Sequence, residues 1–364
     1  MDTFAFIIHP IDPKRDISRK YPLLGRIAND WMIYEFAPFF PPVYLSEIEG
    51  ITSLSTGKHV KGWLIACPLT PKHFWGLPEK RVYRKIIETG QLAERLGAKI
   101  LGLGAFTSVV GDAGITIAKA LDIPVTTGDS YTIGVAVRAI KEAARLMEIV
   151  PEHATIAVVG ATGAIGRVCA ELLCQESAEL ILIGRRLPAL EELREKLQGC
   201  RPRGPVRAST NMEDLRKAQL VLTVTSAIEA VIQPAHLQPG SVVCDVARPR
   251  DVAAQVASAR QDVLVIDGGM VEVPGAVDFH FNFGLPAGKA FACMAETIAL
   301  ALEGRFEDYT LGKDIKIERV KEITEMADRH GFRLSGFRSF EKPVSAEQIE
   351  RVRRNAQKAQ AFGA

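Results

Sequence analysis

The sequence predicts an α/β protein built on a doubly wound parallel sheet, and three features predict it. From Thr155 onward, short apolar runs at Thr155–Val159, Leu180–Ile183, Leu220–Val224, Val242–Asp245 and Val263–Ile266 alternate with stretches of helical periodicity. Runs unbroken by polar residues indicate strands covered on both faces, as in a parallel sheet with helices on either side. The first run leads directly into Gly160-Ala-Thr-Gly-Ala-Ile-Gly166, and then into a helix that carries Ile165, Val168, Cys169, Leu172 and Leu173 on one stripe. Finally, 364 residues are ample for two domains. Strand, glycine loop and helix in that order make a Rossmann unit.

The elements follow from pattern and punctuation. Phe4–His9 reads as a strand ended by Pro10, and Trp63–Cys67 as another. Arg81–Leu96 has helical spacing at Val82, Ile86, Leu92 and Leu96, with Gly97 as its stop. Lys99–Leu103 is a short strand, and Tyr131–Ile149 a helix linking two domains, with Pro151 at the boundary. Helices are expected at Ala164–Gln175, Ala189–Leu197, Ala290–Leu302, Ile317–His330 and Ala346–Ala361. The expected division is a smaller N-terminal α/β substrate domain over 1–128, the dinucleotide-binding domain over 129–287 and a helical C-terminal segment over 288–364. Phe36, Phe39, Phe40, Trp63 and Trp75 place an apolar cleft in the first of these, with most of the five expected in its core.

Composition narrows the function class. A net charge of +2 with no long basic run argues against nucleic-acid binding driven by charge. The basic tail, with twelve Lys/Arg against eight Asp/Glu from Lys313 on, reads as a solvated helix or a dock for an acidic partner. No apolar run reaches the roughly 20 residues that span a bilayer, and Met1–Pro10 does not read as a signal peptide. The six cysteines form no CxxC pair, which argues against zinc or any other metal and against a disulfide framework. A cytoplasmic enzyme with reduced thiols is the expectation.

The glycine loop carries chemistry because a pyrophosphate needs close backbone approach and free N–H groups at a helix N-terminus. Gly160, Gly163 and Gly166 supply turn and approach, and Thr162, Ala164 and Ile165 complete the cradle. At the end of the next strand stand Arg185 and Arg186, where an NAD enzyme usually carries a carboxylate. Two guanidinium groups suit a 2′-phosphate, so NADPH is the expected cofactor. Thr225, Ser226, Gly268 and Gly269 end strands on the expected cofactor side and are placed beside the nicotinamide. Among the thiols, Cys293 is singled out. A helix starting near Pro286–Lys289 puts Lys289 one turn before it, where a cation favours the thiolate, while Glu296 opposes this.

Several segments in order resemble the long-chain acyl-(acyl-carrier-protein) reductases. They are Leu101-Gly-Leu-Gly-Ala-Phe-Thr-Ser108, Thr126-Thr-Gly-Asp-Ser-Tyr-Thr132, Val158-Val-Gly-Ala-Thr-Gly-Ala-Ile-Gly166, Asp267-Gly-Gly-Met-Val-Glu272 and Phe291-Ala-Cys-Met-Ala-Glu296. Asp129 and Lys289 depart from the family, which has Asn and Gln there. The resemblance implies NADPH-dependent reduction of a long-chain acyl thioester to a fatty aldehyde, with Cys293 as the acylated nucleophile. It implies as partner either acyl carrier protein or coenzyme A. Thr107, Ser108, Thr127 and Thr132 are the candidate donors to the oxyanion. His9, His236 and His280 are candidate acids, none assigned. Two rival readings stand beside it. One is a dehydrogenase resembling the shikimate and amino-acid enzymes, reducing a small polar substrate by direct hydride transfer. The other is an NADPH-sensing regulatory protein without turnover.

Overall fold

A computed structural model describes residues 1–363. They form two units, Met1–Thr132 with Val271–Arg333, and Ile133–Met270 with the chain from Leu334 on. This differs from three consecutive segments, because residues 271–333 return to the first unit. The reason lies in the helix Ala292–Glu303. It is buried at Ala292 and from Met294 to Leu302. A helix apolar on every side needs cover on every side, and this one lies against strands of the first unit.

In that unit, β1 (Asp2–Ile8), β2 (Val43–Thr52), β3 (His59–Ala66), β4 (Leu101–Leu103) and β5 (Val125–Thr126) share one mixed sheet. Its order is Gly275–Asp278, β2, β3, β1, β4, β5. β1 runs parallel to β3 and β4, and β2 antiparallel to β3. Successive side chains of a strand point to opposite faces. Ala5 and Ile7 therefore join Val82 and Ile86 of the helix Glu79–Arg95 in one core, while Phe6 and Gly102 lie on the side of Thr297. β2 escaped the sequence reading because its apolar alternation is broken by Glu47, Glu49 and Gly50.

The aromatic residues expected mainly in this core are mostly outside it. Phe36, Phe39, Phe40 and Trp75 are 53%, 82%, 50% and 51% exposed, and only Trp63 packs on the core. The local helices Pro13–Lys20, Pro22–Ile27 and Asp30–Phe36 are too short to turn a full stripe inward. Ala28, Ile33 and Ala37 fill that role instead.

The second unit is the predicted doubly wound sheet. β6 (Thr155–Val159), β7 (Glu179–Ile183), β8 (Val206–Ser209), β9 (Leu220–Thr223), β10 (Val242–Asp245) and β11 (Leu264–Asp267) are ordered β11-β10-β9-β6-β7-β8. Every pairing is parallel. The chain winds outward from β6 in one direction and then, from β9, in the other. The crevice between β6 and β9 is thus the switch point at which such sheets take ligands.

Leu64, fully buried on β3, reports on the first sheet. Leu64→Ala should lower stability by about 2–5 kcal/mol. Urea unfolding checks this, with a lower midpoint and an unchanged slope as the expected result.

Candidate active site

In the first unit the site is organised around one buried carboxylate. Glu296, on the helix Ala292–Glu303, is fully buried. Its Oε1 accepts from Thr126 Oγ1 at 2.5 Å and Thr310 Oγ1 at 2.7 Å, and its Oε2 accepts from the Tyr131 N–H at 2.8 Å. Thr310 N–H in turn reaches Thr126 Oγ1 at 3.2 Å, and Thr127 N–H donates to Thr310 O at 2.9 Å. Burial pushes the Glu296 carboxyl upward, and the donors oppose that push. The result ties the turn at 126–131 to the first helical turn holding Cys293.

Gly128 makes that approach possible. It has a φ of +76°, and a Cβ there would lie 2.3 Å from Cys293 Cα and 2.4 Å from Cys293 Cβ. No side chain but hydrogen fits. Cys293 itself is half-buried at the second position of a helix that starts at Ala292, with Phe291 as an N-cap lacking any side-chain bond.

Lys289 is not on that helix. It lies in the extended segment Lys289–Phe291, held where Val273 N–H donates to Gly288 O, and its Nζ faces Glu272 Oε1 at 3.8 Å. The expected i, i+4 pairing with Cys293 therefore has no helix to act through. The later helix start has a second effect, since it moves Cys293 into the first turn, where free backbone N–H groups and the helix dipole favour negative charge. Burial nevertheless pushes the Cys293 thiol up to about 12, with Asp129 and then Glu296 adding to it. The resting residue is a thiol. Cys67 and Cys169 are also raised, to about 11 and about 12, but both are buried. Cys200 is partly exposed as well, so what sets Cys293 apart is its place in the first turn of a helix, packed against Gly128, and not its acidity.

The four candidate hydroxyls divide. Thr107 Oγ1 donates to Gly104 O at 2.8 Å, Ser108 Oγ to Ala105 O at 2.7 Å and Thr132 Oγ1 to Gly128 O at 2.8 Å. Their hydrogens are spent inside their own turns. Thr127 Oγ1 is buried with no hydrogen-bond partner of normal geometry. Beside it in sequence, Asp129 is 5% exposed. Burial first, and Glu296 second, raise its carboxyl to about 8, while Thr127 is near enough to pull slightly the other way. From the sequence, Glu296 stood only as a charge opposing the Cys293 thiolate and Asp129 only as a departure from the resembling family; neither was expected to be buried in the site. His9 is no acid here: burial lowers it to about 4, and its Nε2 accepts from Phe106 N–H at 3.1 Å.

In the second unit, the loop after β6 is built as expected. Gly160 and Ala161 N–H donate to Ile183 O, and Gly163 N–H to Gly160 O at 2.9 Å. A Cβ on Gly166 would lie 2.2 Å from Gly160 O, so only glycine lets the helix start this close to the loop. The helix Ala164–Leu173 has Gly163 as its N-cap and no side-chain cap. Its first N–H groups, at Ala164, Ile165 and Gly166, have no partner within the helix. Thr162 lies between in the turn. These residues fit a dinucleotide pyrophosphate. Arg185 and Arg186 are both exposed after β7.

Thr225 is committed elsewhere: its Oγ1 and N–H both donate to Asp251, at 2.5 Å and 2.8 Å, as does Thr223 Oγ1 at 2.6 Å. Asp251 fixes the end of β9 while Ser226 stays exposed. Gly268 and Gly269 follow β11, three strands from β6, or roughly 14 Å at ordinary strand spacing. Among the described residues no cluster of His, Cys, Asp or Glu has metal-holding geometry, and no helix is long and apolar enough to cross a membrane.

Residues 141–268 match the family described as Shikimate / quinate 5-dehydrogenase. Over 349 residues the chain is 31% identical to the long-chain acyl-[acyl-carrier-protein] reductase of Synechococcus elongatus, covering 90% of this chain and 98% of that one. The chain belongs to this reductase family. It is also 32% identical over 369 residues to the aminotransferase PigE of a Serratia species, covering 96% of this chain but only 42% of PigE. The reductase-like chain thus spans less than half of that relative. Among solved structures, L-tryptophan dehydrogenase from Nostoc punctiforme is similar at 11% identity, with 98% of this chain and 88% of that one covered and a TM-score of 0.43.

The raised Asp129 carboxyl has a consequence for stability. Between its ordinary value of 3.8 and about 8, the folded chain holds a proton that the unfolded chain has lost. Stability therefore falls as pH rises through that window. Asp129→Asn has no such fall at this position. Unfolding curves from pH 4 to 8 should show the variant gaining on wild type as pH rises; a constant difference would mean that Asp129 is ionised throughout.

Proposed function

We propose that this reductase-family chain is an NADPH-dependent enzyme that reduces a long-chain acyl thioester to a fatty aldehyde through a thioester on Cys293. The observation that carries the reading is Cys293 itself. It is the half-buried residue at the start of an otherwise buried helix, with Gly128 backed against it and the Thr127 hydroxyl unpaired beside the same turn. Core packing explains none of these three features.

In the first step Cys293 sulfur bonds to the acyl carbon, the carbon–sulfur bond to the carrier breaks, and the thiol proton leaves with the carrier thiol. The first helical turn stabilises negative charge on sulfur as it attacks. In the second step the acyl carbon is reduced and its bond to Cys293 breaks, giving the aldehyde and, with one proton, the free thiol. Each step passes through an oxyanion that needs a donor already in place, and Thr127 offers one. Gly160, Thr162, Gly163, Ala164, Ile165 and Gly166 would hold the dinucleotide, with Arg185 and Arg186 on a 2′-phosphate. Thr225, Ser226, Gly268 and Gly269 would border the nicotinamide. The bound reduced cofactor supplies the hydride. Lys289, paired to Glu272, is assigned no step. Thr107 and Ser108 shape the turn after β4. A carrier protein as acyl carrier follows the name of the Synechococcus relative, and coenzyme A is the alternative that presents the same thioester.

A second reading is favoured by the match over residues 141–268: a dehydrogenase acting directly on a small polar substrate, with no covalent step. Intact-protein mass spectrometry separates the two. Wild type mixed with palmitoyl-CoA should gain one acyl group, Cys293→Ala should gain none, and NADPH should discharge the adduct as aldehyde. Absence of an adduct with both acyl-CoA and acyl carrier protein would favour direct transfer. In steady state, Arg185→Ala with Arg186→Ala should raise the KM for NADPH by about 10- to 100-fold, the equivalent of about 1.4–2.7 kcal/mol, and leave that for NADH nearly unchanged. An equal rise for both cofactors would remove the 2′-phosphate assignment.

A further inference from the structure

The turn 126–131 does more than back against the thiol. It brings two side chains that no other group satisfies to the same place. Thr127 Oγ1 is fully buried, with no partner of normal geometry. The Asp129 carboxyl is nine-tenths buried, and among the described residues the one side chain that bonds it is that of Thr127 itself. Their neighbours are the opposite. Thr126, Ser130 and Thr310 are bonded into the Glu296 network, and Thr132 is bonded to its own turn. Burying a polar group without a partner costs free energy. Where the other hydroxyls of this turn are tied into the Glu296 network or their own turn, these two have only each other, and each keeps hydrogen-bonding capacity to spare.

We propose that the Asp129 carboxyl and the Thr127 hydroxyl form a hydrogen-bond-donating pair that holds the oxyanion at Cys293. The inference rests on the cysteine reading above and adds a residue and a protonation state to it. Both side chains flank Gly128, whose missing Cβ is the space occupied by Cys293. A carbonyl carbon bonded to Cys293 sulfur puts its oxygen within reach of groups on this turn. A carboxylate there would repel the oxyanion; a carboxylic acid donates to it. The titratable groups facing Asp129 are Cys293 and Glu296, both on the helix Ala292–Glu303, and neither is a cation. Burial and Glu296 together keep Asp129 protonated up to about pH 8. An acid held neutral in an apolar site so that it can donate is an established device for oxyanions. No proton needs to leave Asp129 in either step, so the balance of the two half-reactions is unchanged.

The test isolates the second half-reaction, which needs no ionisation of the thiol. Wild type, Asp129→Ala, Asp129→Asn and Thr127→Val are acylated with palmitoyl-CoA, freed of excess reagent, and discharged with NADPH in single turnover from pH 6 to 9.5. Wild-type discharge should slow above about pH 8, as Asp129 ionises. Asp129→Ala and Thr127→Val should slow it on the order of 10²-fold at pH 7, as loss of an oxyanion donor does. Asp129→Asn retains an N–H donor, so it should recover most of what alanine loses and show no alkaline fall. Difference infrared spectra of wild type against Asp129→Asn, on a Cys293→Ala background without substrate, should show a protonated carboxyl at pH 7 that disappears by pH 9.5. Adducts that discharge at the wild-type rate in Asp129→Ala would overturn the donor pair and leave the cysteine reading standing. So would equal losses in Asn and Ala variants, or a carboxylate at pH 7. Failure of wild type to form an adduct would remove the cysteine reading and this inference with it.

Discussion

The arrangement of the first unit depends on one buried carboxylate. Among the described residues the groups that bond Glu296 are neutral donors, threonine hydroxyls and backbone N–H groups. Those donors come from two separate parts of the chain, the turn 126–131 and the segment at Thr310. Because a buried charge or acid left unpaired is expensive, both segments are held to the helix that carries Glu296. That helix also carries Cys293, one turn earlier. The network therefore fixes the position of the thiol relative to the turn that faces it, without touching the thiol itself.

The same network sets an electrostatic conflict. A helix start favours a thiolate, yet burial and two carboxyl groups disfavour it, and the second influence wins at rest. A thiol kept protonated in the absence of substrate is protected from oxidation and from adventitious alkylation, both of which require the thiolate. On the proposed reading, its reactivity then depends on what an incoming thioester would bring, namely a carbonyl that accepts hydrogen bonds and a leaving thiol that takes up the proton. Glu296 opposed the thiolate already in the sequence, from its place three residues after Cys293. The structure adds that its role is to hold the turn in place.

How much was legible follows from the range of each signal. The second sheet was readable because its strands are continuous apolar runs and the glycine loop is a local motif, with β6 found at its observed bounds. The first sheet was read only in part, since β2 is interrupted by charged residues, and β5 is two residues long. The return of 271–333 to the first unit was invisible, because nothing in a local window says which sheet a buried helix will cover. Extending the helix back to Lys289 followed from Ala-rich composition, but the segment is extended there, and the lysine pairs with Glu272 instead. The Thr-Thr-Gly-Asp segment stood out as a motif, while its reason was hidden. Gly128 is needed by Cys293, a contact 165 residues away in sequence.

Buried polar groups in the two units make the contrast that separates scaffold from site. At the strand ends of the second unit, Asp245 accepts from Ala247 and Val252 N–H, Asp251 from Thr223 and Thr225, and Asp267 from Arg250 through two bonds of 3.0 Å. Each is buried and each is satisfied, so their work is to shape the loops that follow the strands. Glu296 belongs with them. Thr127 and Asp129 do not, although they sit in the same turn as donors that Glu296 has claimed. A fold that needed them only for packing would carry apolar residues of similar size at lower cost. That they have only each other is therefore informative in a way that their burial alone is not. It is the feature on which the proposed oxyanion site rests.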